Sequence, residues 1–119
     1  MPDRIPPTGH YRFPASHRVT RGGEFERLLR GGERRSQAGY VVYFQRRNEG
    51  PARLGLLVTR RHSRSAVERN RLKRCVREAF RMEQGRLGAI DLLVRPPYGA
   101  NPGAEMIVTI RKLLARLST

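Results

Sequence analysis

The feature that most constrains the fold is a helix with two unlike faces in the middle of the chain. Ser65 and Glu68 have the spacing of a capping box, with Ser65 as the N-cap, so "RNRLKRCVREAFR" is predicted to be helical. At about 100° per residue, its apolar side chains fall within a sector of about 140°. A stripe this wide has to pack against another layer, and the neighbouring apolar strands indicate a sheet. The stripe consists of Leu72, Cys75, Val76, Ala79 and Phe80.

The opposite face of this helix is almost entirely basic. Lys73, Arg77 and Arg81 follow one another at i, i+4 spacing, and like charges so placed mildly destabilise an isolated helix. A solvated helix face usually mixes positive and negative charges. This like-charge ladder of Lys73, Arg77 and Arg81 therefore favours an anionic partner over simple exposure to water. The side chains predicted to contact RNA, on the helix and on the connector before it, are Arg60, Arg61, Arg64, Arg69, Asn70, Arg71, Lys73, Arg74, Arg77 and Arg81.

The composition of the whole chain points to the same kind of partner. Among 119 residues, 25 Lys and Arg face 10 Asp and Glu, which gives a net charge of +15. Every basic residue except Lys73 and Lys112 is arginine, which keeps its charge at any working pH and binds phosphate through two N–H groups. Such an excess suggests a polyanion, with nucleic acid ahead of an anionic membrane surface.

The sequence also indicates where the protein works. The single cysteine, Cys75, fits a reducing compartment, and its place on the apolar stripe favours core packing over a nucleophilic role. No apolar run approaches the roughly 18 residues of a membrane span, and the first residues lack the apolar core of a signal peptide. We therefore expect a cytoplasmic protein that does not associate with membranes.

The chain shows no residue pattern of an enzyme that acts alone. His10, His17 and His62 have no metal-ligand spacing, and the acidic residues are not paired as in a nuclease metal site. No catalytic residue and no protein metal site is predicted. Before any family resemblance is considered, four functions stay open in descending order: a structural RNA binder such as a ribosomal protein, a duplex-DNA binder, a membrane-surface helix and a stand-alone nuclease.

The other elements follow from local patterns. Residues 1–16 are proline-rich and predicted to be a flexible arm, followed by one domain over residues 17–119. A first helix, with Thr20 as a plausible cap, should end at Gly31 and Gly32. The segment "ERRSQAG" is a candidate edge strand, and a turn at residues 48–51 should join strands 40–46 and 53–60 as an antiparallel hairpin.

The C-terminal third adds a strand and a helix. Residues 89–95, "AIDLLVR", do not alternate with polar residues after Asp91, which is typical of a strand buried on both faces. Asn101 is the predicted cap of the last helix, with Pro102 at its first position. The order is helix, two or three strands, helix, strand, helix.

Two aromatic residues are candidates for stacking on bases. Phe25 lies on the first helix, and Tyr43 points to the opposite side of its strand from Tyr40 and Phe44. Both faces of that strand cannot be fully buried in so small a domain. An aromatic ring exposed among arginines can stack on an unpaired base, so Phe25 and Tyr43 are either core residues or RNA contacts.

The stretch "RLGLLVTRRHSRSAVERNRLKRCVREAFR" resembles the signature of the bacterial ribonuclease P protein subunit. That family has Arg-hydrophobic-Gly at the start of a strand, then a basic pair, then Arg-Asn-Arg-hydrophobic-Lys-Arg and Arg-Glu-x-Phe. "RVTRGGEFERLLRGG" is similar to its first helix, and "DLLVRPP" to its last strand. The likeness runs from about residue 17 to residue 117. Leu29 stands where the family often has an aromatic residue, so the cleft would stack one base fewer.

This resemblance implies the fold and the partners. The fold would be α+β, a single-domain two-layer α/β sandwich of order α-β-β-β-α-β-α, like ribosomal protein S5 domain 2, with a left-handed βαβ crossover that the usual right-handed rule disfavours. The protein would assist a catalytic RNA subunit that uses Mg²⁺ to remove the 5′ leader of precursor tRNA, without an obligate protein partner. The Mg²⁺ would be held mainly by the RNA. Phe25 and Tyr43 would line the leader cleft, and the Arg-Asn-Arg helix would face the RNA.

Overall fold

The structure is a computed structural model, and the residues described are 23–117, with side chains described from Glu26 onward. The predicted arm and the predicted cap at Thr20 lie outside these residues. Seven elements follow one another in the α-β-β-β-α-β-α order that the sequence and the resemblance indicate, and the fold is α+β. They are α1 (Gly23–Gly31), β1 (Glu33–Gln37), β2 (Tyr40–Arg46), β3 (Arg53–Leu56), α2 (Ala66–Leu87), β4 (Ile90–Arg95) and α3 (Ala104–Ala115).

One four-stranded sheet runs in the order β1-β2-β4-β3. β1 pairs with β2, and β2 with β4, in antiparallel fashion, whereas β3 pairs with β4 in parallel. The predicted hairpin between residues 40–46 and 53–60 is therefore wrong, because β4 lies between those two strands. The predicted edge strand is confirmed as β1. The α2 helix is the crossover that connects β3 to its parallel neighbour β4.

The central position of β4 agrees with its apolar run from Leu92 to Val94. Ile90, Leu92 and Val94 point to one face of the sheet and join the main core with α2 and α3. Leu93 points to the other face, where it packs against Leu28 of α1. A strand covered on both faces gains from being apolar at nearly every position.

Asp91 is a buried acid in β4, and it has two basic partners. Its carboxylate oxygen Oδ1 lies 2.9 Å from Nε of Arg47, just after β2, and 2.8 Å from Nε of Arg53 in β3. Arg53 adds a second hydrogen bond to Oδ2 at 3.0 Å. The acid thus joins both neighbouring strands to β4 at the same end of the sheet.

The apolar stripe predicted for the central helix is confirmed. Leu72, Val76 and Phe80 are fully buried against the sheet and α3. One buried residue of this face, Glu83, was not predicted, and it is paired with Arg111 of α3 at 2.7 Å. This ion pair compensates the charge of Glu83 where α2 and α3 meet.

The predicted start of the last helix is wrong by two residues. The N-cap is Gly103, with φ of 154°, and α3 begins at Ala104, so neither Asn101 nor Pro102 has the predicted role. A φ of this value favours glycine. The first turn of α3 therefore starts after Gly103, two residues later than the types of Asn101 and Pro102 predict.

Candidate nucleic-acid interface

The connector between β3 and α2 is held in place by the helix that it precedes. The hydroxyl of Ser65 accepts a hydrogen bond from the Glu68 N–H at 3.1 Å, which confirms the predicted N-cap. One turn further on, Nη1 of Arg69 donates to the backbone carbonyls of Ser63 at 2.9 Å and Arg64 at 3.1 Å. The first arginine of the Arg-Asn-Arg motif therefore positions the connector.

This positioning brings the connector arginines together at the start of α2. Arg60, Arg61 and Arg64 are exposed and line an open depression. Within residues 26–117, none of the three forms an ion pair with a carboxylate. The free N–H groups and the dipole of a helix N-terminus favour anions as well. The depression has the charge and the donors to hold a phosphate backbone.

The outer face of α2 continues this basic surface. Asn70 and Arg74 are exposed, and Lys73 and Arg77 are half-buried beside them. Among the described residues, Lys73 and Arg74 have no acidic partner. Because Leu72 and Val76 fix the underside of the helix to the core, these side chains project from a rigid support.

The two arginines at the margins of this face are partly neutralised. Arg81 forms two hydrogen bonds with the carboxylate of Glu78, at 3.1 and 2.6 Å. Arg71 lies 3.8 Å from a carboxylate oxygen of Glu68. The predicted like-charge ladder is thus weakened at Arg81, where an i, i+3 acid compensates its charge.

A second candidate surface lies on the opposite face of the sheet, beside α1. The Tyr43 ring is half-buried and packs against the small cluster formed by Leu28 and Leu93, as Leu57 also does. The backbone of Phe25 belongs to α1, but its side chain lies outside the described residues. Part of Tyr43 is therefore packed and part is open to solvent, and its contact with RNA stays a prediction.

Two arginines flank Tyr43, and the sequence patterns did not single them out. Arg34 of β1 is directly opposite Tyr43 in the antiparallel register and points to the same face. Arg95 lies two residues after Leu93 on β4 and shares this face too. Strand alternation would have found Arg34 once the register of β1 with β2 was known, and Arg95 once the pairing of β4 with β2 was known.

Residues 13–118 match the family model described as Ribonuclease P. The chain belongs to the ribonuclease P protein family. A curated relative from Methylococcus capsulatus, named ribonuclease P protein component, is 40% identical over 112 residues, which are 92% of this chain and 88% of the relative. The protein of that name from Thioalkalivibrio sulfidiphilus is 34% identical over 109 residues, covering 90% and 91% of the two chains.

Solved structures of ribonuclease P proteins have the same fold. The Staphylococcus aureus RNase P protein superimposes with a TM-score of 0.68 at 26% identity, covering 85% of this chain and 91% of its own. The Thermotoga maritima protein gives a TM-score of 0.63 at 28% identity, covering 79% and 87%. Ribonuclease P protein components belong to an endoribonuclease complex that processes tRNA 5′ ends with an RNA subunit. The two arginine-rich surfaces, one on the connector and α2 and the other beside Tyr43, suit an RNA partner.

The remaining features of the molecule are Cys75, the side chains that could hold a metal ion and the length of the apolar helices. Cys75 is buried in the core, and burial raises the pKa of its thiol above the ordinary value, which disfavours the reactive thiolate. Within residues 23–117, no three His, Cys, Asp or Glu side chains are grouped so that they could hold a metal ion. None of the described helices is long and apolar enough to cross a membrane.

Proposed function

We propose that this chain binds the 5′ leader of precursor tRNA beside Tyr43 and presents the outer face of α2 to the catalytic RNA of ribonuclease P. The observation that carries the proposal is the half-open Tyr43 ring, which lies between Arg34 and Arg95 on a sheet face that α1 borders. An aromatic ring among guanidinium groups suits a single strand, because the ring stacks on a base and the cations contact phosphates. Phe25 is proposed to line the same cleft.

The remaining RNA contacts are assigned to the connector and α2. We propose that Arg60, Arg61 and Arg64 bind phosphates at the start of the helix, and that Asn70, Lys73, Arg74 and Arg77 continue the contact along it. Arg69 contributes by holding the connector, while Arg71 and Arg81 take part at the margins, where they exchange an acidic neighbour for a phosphate.

The cleavage chemistry is assigned to the RNA subunit. The groups that these two surfaces offer are mainly guanidinium, ammonium and aromatic side chains, which bind and orient a polyanion. Guanidinium groups keep their protons at neutral pH and do not act as general bases. We assign the Mg²⁺ that the reaction uses mainly to the phosphates of the RNA, and the protein neutralises repulsion between leader and catalytic RNA.

The proposed setting is the cytoplasm, with precursor tRNA as the substrate and no obligate protein partner. In support of the last point, the exposed large apolar side chains among the described residues are distributed over three helices and one loop. They are Leu29 on α1, Val67 and Met82 near opposite ends of α2, Tyr98 in the loop after β4 and Val108 on α3.

The test is cleavage of precursor tRNA by the cognate catalytic RNA at low Mg²⁺, with and without the protein. We expect the protein to raise the rate and the affinity for leader-bearing substrate. Tyr43→Ala should weaken binding of precursor tRNA by about fivefold or more while mature tRNA changes little, and Tyr43→Phe should keep the wild-type preference. An unchanged rate with wild-type protein would refute the subunit role. Equal losses on both tRNAs would refute the leader contact.

A further inference from the structure

The loop after β4 is fastened to the connector by a buried histidine. Nδ1 of His62 accepts a hydrogen bond from the Thr59 N–H at 3.0 Å, so its other nitrogen, Nε2, carries the proton. That nitrogen donates to the carbonyl of Pro96 at 2.8 Å. Because His62 is only 7% exposed, this pair of bonds fixes the ring and holds residues 96–98 against the connector.

Tyr98 stands on this fixed support. Its ring centroid lies 4.6 Å from that of His62 at an interplanar angle of 62°, an edge-to-face contact. The guanidinium carbon of Arg61 lies over the Tyr98 ring, 4.6 Å from its centroid. Despite both contacts, Tyr98 is 49% exposed. The ring is therefore held in one orientation while much of it stays open to solvent.

The surroundings of this open ring are strongly basic. Arg61 lines the open depression together with Arg60 and Arg64, and none of them forms an ion pair within the described part of the chain. The cation over the ring is thus one of the groups already placed to bind phosphate. An oriented aromatic ring beside unpaired guanidinium groups is the arrangement that binds single-stranded nucleic acid through stacking and charge together.

We propose that Tyr98 is a base-stacking residue. An unpaired base of an RNA strand stacks on the open part of the ring, while phosphates of the same strand contact Arg60, Arg61 and Arg64. The proposal deepens the proposed function and rests on it, since it adds a second stacking position on the loop after β4, separate from the position at Tyr43 on β2. The strand belongs either to the catalytic RNA or to precursor tRNA, because both offer the same chemistry.

The first test uses fluorescence, because the chain contains no tryptophan. Tyr98→Trp places a single indole at the site, and Val108→Trp on α3, where Val108 is also 49% exposed, is the matched control. A short single-stranded oligoribonucleotide should quench the indole of Tyr98→Trp strongly and that of the control little. Inorganic polyphosphate, which has charge but no bases, should bind without comparable quenching. Equal quenching of the Tyr98→Trp variant by both polyanions, or none at saturating RNA, would overturn the proposal.

The second test measures affinity. Tyr98→Ala should weaken binding of the RNA strand about fivefold to tenfold, Tyr98→Phe should stay within about twofold of wild type, and polyphosphate affinity should not change. A similar loss on polyphosphate would mean that Tyr98 only positions Arg61, which contradicts stacking.

Separate titrations with the catalytic RNA alone and with precursor tRNA identify the source of the base. These binding results are independent of the cleavage assay. If wild-type protein fails to stimulate cleavage, the proposed function is refuted; if stimulation is normal and Tyr98→Ala binds both RNAs as wild type does, the stacking proposal alone is refuted.

Discussion

At the scale of single residues, neighbouring members of one basic motif have different tasks. Arg69 donates two hydrogen bonds to the carbonyls of the connector, whereas Arg74, five positions later, is exposed and has no acidic partner among the described residues. The first side chain stabilises the shape of the binding surface, and the second is available to the RNA. In the sequence the two arginines look equivalent. The connector carbonyls that accept hydrogen bonds from Arg69 come close to its side chain only in the folded chain.

This difference predicts separable effects of substitution. Arg74→Gln should lower the slope of log affinity against log salt concentration by about 0.7–0.9, the contribution of one phosphate contact. Its free energy of unfolding should stay within about 0.5 kcal/mol of wild type. Arg69→Gln should lower the free energy of unfolding by about 1 kcal/mol, because it loses the bonds to the connector.

Salt titrations of RNA binding measure the slope of log affinity against log salt concentration, and urea denaturation measures the free energy of unfolding. Lys112→Gln on α3 is the control for removing one exposed charge elsewhere. An unchanged slope in Arg74→Gln, or a slope that falls as much in the control, would contradict the assignment of Arg74.

At the scale of elements, local patterns predicted the helices and strands well but predicted the sheet less well. The two faces of α2, the cap at Ser65 and the buried character of β4 follow from side-chain period and type. The pairing of β2 with β4 does not, because a turn at residues 48–51 and two adjacent strands equally suit a hairpin. Arg95 beside Tyr43 was missed for the same reason, and Arg34 was missed because its position depends on the register of β1 with β2.

The junction of α1 with β2 gives a prediction at this scale. A Cβ atom on Gly32 would lie 2.7 Å from the carbonyl oxygen of Leu28 and 2.9 Å from that of Phe44, so the backbone would have to move. Gly32→Ala should lower the free energy of unfolding by about 1–3 kcal/mol and displace the helix that borders the leader cleft. Gly31→Ala, where a Cβ meets nothing within 4 Å, is the matched control and should be neutral or slightly stabilising.

Urea denaturation of the two variants checks this prediction, and binding of leader-bearing substrate reports on the cleft. Equal stability of Gly31→Ala and Gly32→Ala would show that the junction tolerates a side chain. The close approach of α1 to β2 would then have no role in setting the cleft.

At the scale of the whole molecule, charge dominates the behaviour of the protein. A net charge of +15 on 119 residues makes association with RNA favourable and strongly dependent on salt. With about 6–10 phosphate contacts, affinity should fall about 10³- to 10⁵-fold between 50 and 200 mM salt. Filter binding or fluorescence titration measures this fall, and thermal unfolding over the same salt range controls for loss of folded protein. An RNA affinity that does not change with salt concentration would contradict phosphate binding by both arginine-rich surfaces.

The position of β4 has a consequence for synthesis of the chain. Of the four described strands, β4 is the last to leave the ribosome, yet it lies in the interior of the sheet, between β2 and β3. Before it emerges, β3 has no partner strand and the apolar stripe of α2 has no complete layer to cover. The α2 helix of the nascent protein therefore packs in place only after β4 has been translated, so the two arginine-rich surfaces form together.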